Sequence, residues 1–196
     1  MGAKRMFDAV TSTWNPITGC LHGCKYCWSR RLAEGRLKGT EKYKDGFKPR
    51  FHPRELKRRF RPGELVFVSD VGDMWGEWVP EEWIRAVLRH VSKFPKTDFL
   101  FLTKNPRRYH KFLDEMPSNA ILGATIETNN DFYYREWALS RNSPPPSVRY
   151  RAMRDLDWPK KFVSIEPVLA FDLEEFVKWM VEIRPIMIYV GYDNYN

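Results

Sequence analysis

The stretch TGCLHGCKYCWS, residues 18–29, concentrates the reactive chemistry of the sequence. All 3 cysteines of the chain, Cys20, Cys24 and Cys27, fall inside it as Cys-x3-Cys-x2-Cys. Thiolates act as nucleophiles, redox centres and soft metal ligands. Four uses of this pattern compete. A Cys-x-x-Cys redox pair made of Cys24 and Cys27 leaves Cys20 without a role. A structural zinc site wants four ligands, typically as two separated pairs; His22 lies inside the loop, and His52 would have to be recruited from afar. Three unrelated buried thiols fit poorly with a chain that has no cysteine elsewhere. An iron–sulfur cluster is held by thiolates, ordinarily four. Three thiolates would grip three corners of a [4Fe–4S] cube and leave the fourth iron open to a substrate or cofactor.

Something must position that loop. Six short apolar runs recur along the chain: AVTSTW (9–14), LVFVS (65–69), DFLFLT (98–103), AILGATIE (120–127), KFVSIE (161–166) and IMIYVG (186–191). They are nearly continuous in Val, Ile, Leu and Phe, as strands buried on both faces are. Helical spacing separates them: Ile84, Val87, Leu88 and Val91, then Tyr109, Phe112, Leu113 and Met116, then Leu173, Phe176, Val177 and Met180. RNSPPPSVR (141–149) reads as a proline-rich loop between the fourth strand and the next helical stretch, RYRAMRDLDW. Strands alternating with helices call for parallel pairing through crossovers. Eight such units need about 250 residues, so the expected fold is α/β, a partial (β/α)6 TIM-type barrel with parallel strands. A flavodoxin-like sheet is the other arrangement the pattern allows.

Sites in parallel α/β folds gather at the carboxyl ends of the strands. Here those ends are polar: Ser69 and Asp70 with Asp73 beyond, Thr103, Lys104 and Asn105, Thr125 and Glu127, Ser164 and Glu166, and Tyr192, Asp193 and Asn194. The cysteine loop follows the first strand and belongs to the same rim. Trp28, Trp75 and Trp78 lie near it, where packing is a commoner use of tryptophan than stacking on a base.

The chain of 196 residues is read as a single domain, 1–196, with 43% hydrophobic residues and enough length for a substantial core. No apolar run is long enough to span a membrane and the N-terminus lacks the apolar stretch of a signal peptide, so a cytoplasmic location is expected. Lys and Arg number 33 against 25 Asp and Glu, a net charge of +8, with the excess between residues 30 and 62. That segment is either a solvated helix and loop or a surface for phosphates.

With Tyr26 as its aromatic residue, Cys-x3-Cys-x-aromatic-Cys resembles the signature of the radical S-adenosylmethionine (radical SAM) superfamily. The leader TWNPITGC (13–20), SD after the second strand and LTKN after the third are similar to a phage- and archaea-associated branch near the spore photoproduct lyase-like enzymes. The resemblance covers the whole chain in layout, and the cysteine loop and its leader in residues. It implies a [4Fe–4S] cluster on Cys20, Cys24 and Cys27, with S-adenosylmethionine chelated by the open iron. One electron, from an external low-potential donor, would cleave it to methionine and a 5′-deoxyadenosyl radical that abstracts hydrogen from a substrate. Tyr26 matches the residue near the adenine. SDVGD stands where the superfamily has a small-residue/Gly-Gly-Glu stretch, so Ser69 and Asp70 would meet the amino group. Thr125, Glu127, Ser164 and Glu166 occupy places that contact ribose and methionine. Thr103 and Lys104 end the third strand, and Lys104 would meet the carboxylate or a substrate phosphate.

The chain stops at YVGYDNYN, just past the sixth strand, where relatives usually continue. A minimal protein, a truncated one, or a partner chain completing the barrel are the expectations. A nucleic-acid substrate would use the basic segment. The competing reading is a non-catalytic nucleic-acid-binding module whose cysteine loop holds a structural metal.

Overall fold

In the computed structural model, which describes Phe7 and residues 9–192, each of the six apolar runs contains a strand. Asp193 and Asn194, expected beside the sixth, lie outside the described residues. The chain begins with β1 (Ser12–Trp14), then β2 (Ile17–Thr18), which pairs antiparallel with β3 (Arg50–Phe51). There follow β4 (Leu65–Val68), β5 (Asp98–Thr103), β6 (Ala120–Thr125), β7 (Lys161–Ile165) and β8 (Met187–Val190). The main sheet has the order β1-β4-β5-β6-β7-β8, and every neighbouring pair is parallel. This is the partial TIM-type barrel the alternation predicts, and strand order that never reverses excludes the flavodoxin-like arrangement.

Among the described residues, five α-helices accompany the strands: α1 (Trp28–Glu34), α2 (Glu81–Val91), α3 (Asp131–Glu136), α4 (Pro146–Arg154) and α5 (Leu173–Ile183). Side chains alternate across the sheet. Val66, Val68, Phe99, Phe101, Leu122, Ala124, Val163 and Ile165 share one core with α2, α4 and α5. Phe67, Leu100, Ile121 and Phe162 fill the other face together with Phe7 and Val10. In α2, Ile84, Val87, Leu88 and Val91 are all buried as their spacing requires, and each contributes roughly 1.5–3 kcal/mol of burial. Glu81 and Glu82 sit in its first turn, where the helix dipole favours carboxylates.

The structure departs from the sequence pattern in four places. Residues 106–115 form a 3-10 helix, not an α-helix. Burial of Pro106, Tyr109 and Phe112 falls on every third residue, the period of that tighter coil. In α5 the buried face is Phe176, Trp179 and Ile183, while Leu173 and Val177 are exposed. The aromatic stripe wins because Trp179 stacks on Tyr150 with centroids 4.3 Å apart and planes at 5°, burying more area than Leu and Val would. The helix expected in RYRAMRDLDW is present as α4 but starts earlier, at Pro146 inside the proline-rich run, since proline suits a helix's first turn. Finally, the β2–β3 ribbon and α3 are too short to leave a periodic signal.

Candidate active site

The cysteine loop is tied to the sheet through two glycines. Gly19 has φ +82°, and a Cβ on it would come within 2.2 Å of the Lys48 carbonyl oxygen. Gly72, in SDVGD, approaches so closely that a Cβ would meet the Gly19 nitrogen at 2.9 Å. The two form a parallel bridge, with Gly19 N–H donating to Val71 O at 3.0 Å and Asp73 N–H to Gly19 O at 3.2 Å. Backbone therefore contacts backbone where side chains would hold the loops apart. Cys20 follows directly, and its N–H donates to Phe47 O at 3.2 Å. Cys27 caps α1, its Sγ accepting from Arg30 N–H at 3.3 Å, and Cys20 Sγ accepts from His22 N–H at 3.4 Å.

Asp73, fully buried, fastens the loop to the rim. Its Oδ2 bonds His22 Nε2 at 2.9 Å and accepts from Thr103 Oγ1 at 2.8 Å and Lys104 N–H at 3.1 Å. Its Oδ1 accepts from Trp75 N–H at 2.9 Å. Burial alone would raise this carboxyl, but the His22 bond and the other donors hold it below the usual range. One residue of the cysteine loop and two at the end of β5 are thus held by a single carboxylate.

Glu127 does the same on the other side. It accepts from Lys104 Nζ at 2.5 Å, from Arg149 Nη1 at 2.6 Å and from the Tyr26 hydroxyl, with no exposure of its own. Burial pushes this carboxyl up, yet Arg149 and Lys104 outweigh it and bring it to about 2. Lys104 also lies 5.3 Å over the Tyr26 ring. Burial and the adjacent Glu127 carboxylate keep the Tyr26 hydroxyl protonated, well above its ordinary range.

Cys20, Cys24 and Cys27 line one cavity together with Tyr26, Asp70, Thr103, Lys104, Thr125 and Glu166. Three expected residues stand outside that lining. Glu127 reaches the cavity only through the side chains it holds. Ser69 (φ 58°) and Ser164 have buried hydroxyls with no hydrogen-bond partner among the described residues. Asp70 is engaged from the side: Asn15 Nδ2 donates to it at 2.5 Å, and burial raises its carboxyl.

His22, Trp28 and Tyr192 line the cavity too. Trp75 is fully buried in the core, and Trp78 stands edge-on to His22 at 4.8 Å, so both pack. His52 bonds Thr18 Oγ1 at 2.8 Å. Arg149 is the residue sequence reasoning missed outright. It lay where the proline-rich loop gives way to the expected helix, and only the fold brings it against Glu127. Part of the basic segment is committed within the chain, as Lys42–Glu55 (2.5 Å) and Arg50–Glu41 (3.2 Å) show.

The donor set suits an iron–sulfur cluster. Three free, half-buried thiols ring one space, and two of their sulfurs already accept backbone N–H bonds, which favour a metal-bound thiolate. Burial raises the Cys20 and Cys27 thiols above their ordinary value, so a metal held there would have to displace their protons. Among the described residues no three His, Cys, Asp or Glu side chains converge tightly enough to hold a single metal ion.

Residues 6–182 match the family model described as "Protein of unknown function (DUF5131)". No curated protein matches the sequence. Among solved structures, a spore photoproduct lyase double mutant with bound AdoMet and dinucleoside spore photoproduct superposes with a TM-score of 0.63 at 13% identity, over 87% of this chain and 52% of that one. A second spore photoproduct lyase mutant gives 0.60 at 12% identity over the same shares. A third structure, spore photoproduct lyase complexed with dinucleoside spore photoproduct, gives 0.57 at 12%, over 85% and 48%. At these identities the likeness is one of fold, and the chain spans about half the length of the structures it matches. Among the described residues no helix is long and apolar enough to cross a membrane.

Proposed function

We propose that this chain, which belongs to the DUF5131 family, is a radical SAM enzyme. The observation that carries the reading is the convergence of all three thiols of Cys-x3-Cys-x2-Cys on one cavity at the carboxyl rim of a six-stranded parallel partial barrel. The likeness in fold to spore photoproduct lyase, one structure of which holds AdoMet, supports it.

Cys20, Cys24 and Cys27 would hold a [4Fe–4S] cluster. Such a cluster supplies a low-potential electron and an open iron for S-adenosylmethionine. The chain's own residues orient and shield. Asp73 keeps the loop fixed through His22. Tyr26, held by Glu127, forms part of the wall. Lys104 presents a cation beside the thiols while remaining paired to Glu127, a placement suited to the carboxylate of an amino-acid ligand. Asp70, Thr125 and Glu166 add polar groups to the lining. Phe67 and Leu102 add apolar side chains to the lining, which would limit the water held there.

Anaerobic reconstitution should load about four irons per chain, the complement of a single cubane. With a low-potential reductant, the loaded protein should convert S-adenosylmethionine to 5′-deoxyadenosine, detected by chromatography and mass spectrometry. A mononuclear zinc centre, or full cluster loading without any cleavage, would overturn the assignment.

A further inference from the structure

The short helix α3 and the residue that caps its end carry three large aromatic side chains on the outside of the molecule. Phe132 is 68% exposed, Tyr133 46% and Trp137 54%. They form one continuous surface: the Tyr133 and Trp137 rings stack at 5.4 Å and 29°, and Phe132 meets Tyr133 edge-on at 5.6 Å. Core packing does not require them, since Tyr134 is the buried anchor of this helix.

Cations flank the rings. Arg135 and Arg141 are exposed, and exposed Lys25, from the cysteine loop, donates to the Trp137 carbonyl at 2.5 Å. Of the two carboxylates in the segment, Asp131 is occupied by Ser147 N–H at 3.0 Å and its hydroxyl at 2.6 Å, leaving Glu136 exposed. The balance facing solvent is therefore positive, on a chain whose net charge is +8.

The patch is fastened to the loop that bears the cysteines. Ser140 Oγ and Asn142 N–H both donate to His22 O at 2.9 Å, Asn142 Nδ2 donates to Leu21 O at 2.7 Å, and Lys25 N–H donates to Leu139 O at 3.0 Å. Arg141 lies against Gly23, where an added Cβ would meet its Cβ at 3.4 Å. Something bound across the aromatic rings and Arg141 would therefore lie against the loop that bears the cysteines.

We propose that Phe132, Tyr133 and Trp137, with Lys25, Arg135 and Arg141, form a docking surface for single-stranded nucleic acid. Flat exposed rings offer stacking faces to unpaired bases, and the flanking cations attract phosphates; the excess of exposed Lys25, Arg135 and Arg141 over the exposed Glu136 favours a polyanion over a protein as the occupant. The surface stands on its own observations. Only its role in presenting a strand to the cavity rests on the radical SAM reading.

The test uses fluorescence anisotropy with labelled oligo-dT and oligo-U of about 10–15 nucleotides, a length that covers a site of this kind. It needs neither cluster nor S-adenosylmethionine, so it fails or succeeds separately from the enzyme assignment. Binding should weaken steeply as salt is raised and should quench tryptophan fluorescence. Trp137→Ala and Phe132→Ala should each weaken it roughly fivefold or more, and Arg135→Glu with Arg141→Glu should flatten its salt dependence. Circular dichroism should show these exposed-site variants folded. Absence of binding at low salt, equal affinity for the aromatic variants, or dimerisation that disappears in Trp137→Ala would overturn the proposal.

Discussion

The Arg149 guanidinium faces the Glu127 carboxylate at 2.6 Å with neither side chain exposed. Two residues distant in sequence, on α4 and just beyond β6, thus build a buried ion pair behind the cavity, and Lys104 and Tyr26 complete it. Removing one member leaves an uncompensated buried charge, which costs about 3–5 kcal/mol. Glu127→Ala should therefore lower the denaturant midpoint sharply, whereas an equal midpoint would refute the pairing.

The same pair sets an acid limit. Glu127 is depressed in the folded protein to about 2, so its stabilisation is complete above the unfolded carboxylate value of ~4.3 and is lost as pH falls toward 2. The contribution is on the order of 3 kcal/mol, and Glu127→Gln should remove that part of the acid dependence. Unfolding free energies measured between pH 5 and pH 2 for both proteins decide the matter.

Gly19→Ala addresses the cysteine loop from a distance of one residue. The substitution places a Cβ against Lys48 O at a φ of +82°, and the left-handed conformation alone costs about 1–2 kcal/mol. The loop should shift, and iron bound per chain after anaerobic reconstitution should fall well below that of the parent. Unchanged iron content would show that the bridge to Gly72 does not position the thiols.

Asp73→Asn leaves the shape and removes the charge that receives His22, Thr103 and Lys104. Hydrogen bonds to a charged group contribute about 1.5–3 kcal/mol, so the melting temperature should drop. Proteolysis should cut more readily within residues 20–27. Equal protection in the variant would mean that the Asp73 charge does not hold the loop.

Cys24→Ala separates site from scaffold. Its thiol is half-buried and free, so thermal unfolding should move little while iron loading collapses. A variant that still assembles its full complement of iron would exclude Cys24 as a ligand.

Much of this architecture is legible in one dimension because it repeats. Strand after strand of buried Val, Ile, Leu and Phe leaves a run no helix needs, and a crossover between each pair forces parallel order. The three cysteines were legible for another reason: local spacing alone puts them on one loop. Arg149 was not, because a guanidinium in a proline-rich segment looks like any surface cation until α4 is laid beside β6. The buried face of α5 was misread because periodicity alone does not say which of two apolar stripes will find a partner, and Trp179 finds Tyr150.

The linear order of residues determined the alternating parallel sheet, the polar carboxyl rim and the thiol loop, since each depends on neighbours within about ten positions. Only tertiary packing decided which rim residues meet: Asp73 with His22, Glu127 with Lys104 and Arg149, Gly19 with Gly72. Those contacts span from 22 to 53 positions along the chain. Their geometry follows from how β1, β4, β5 and β6 stack laterally, a relationship that no local pattern encodes.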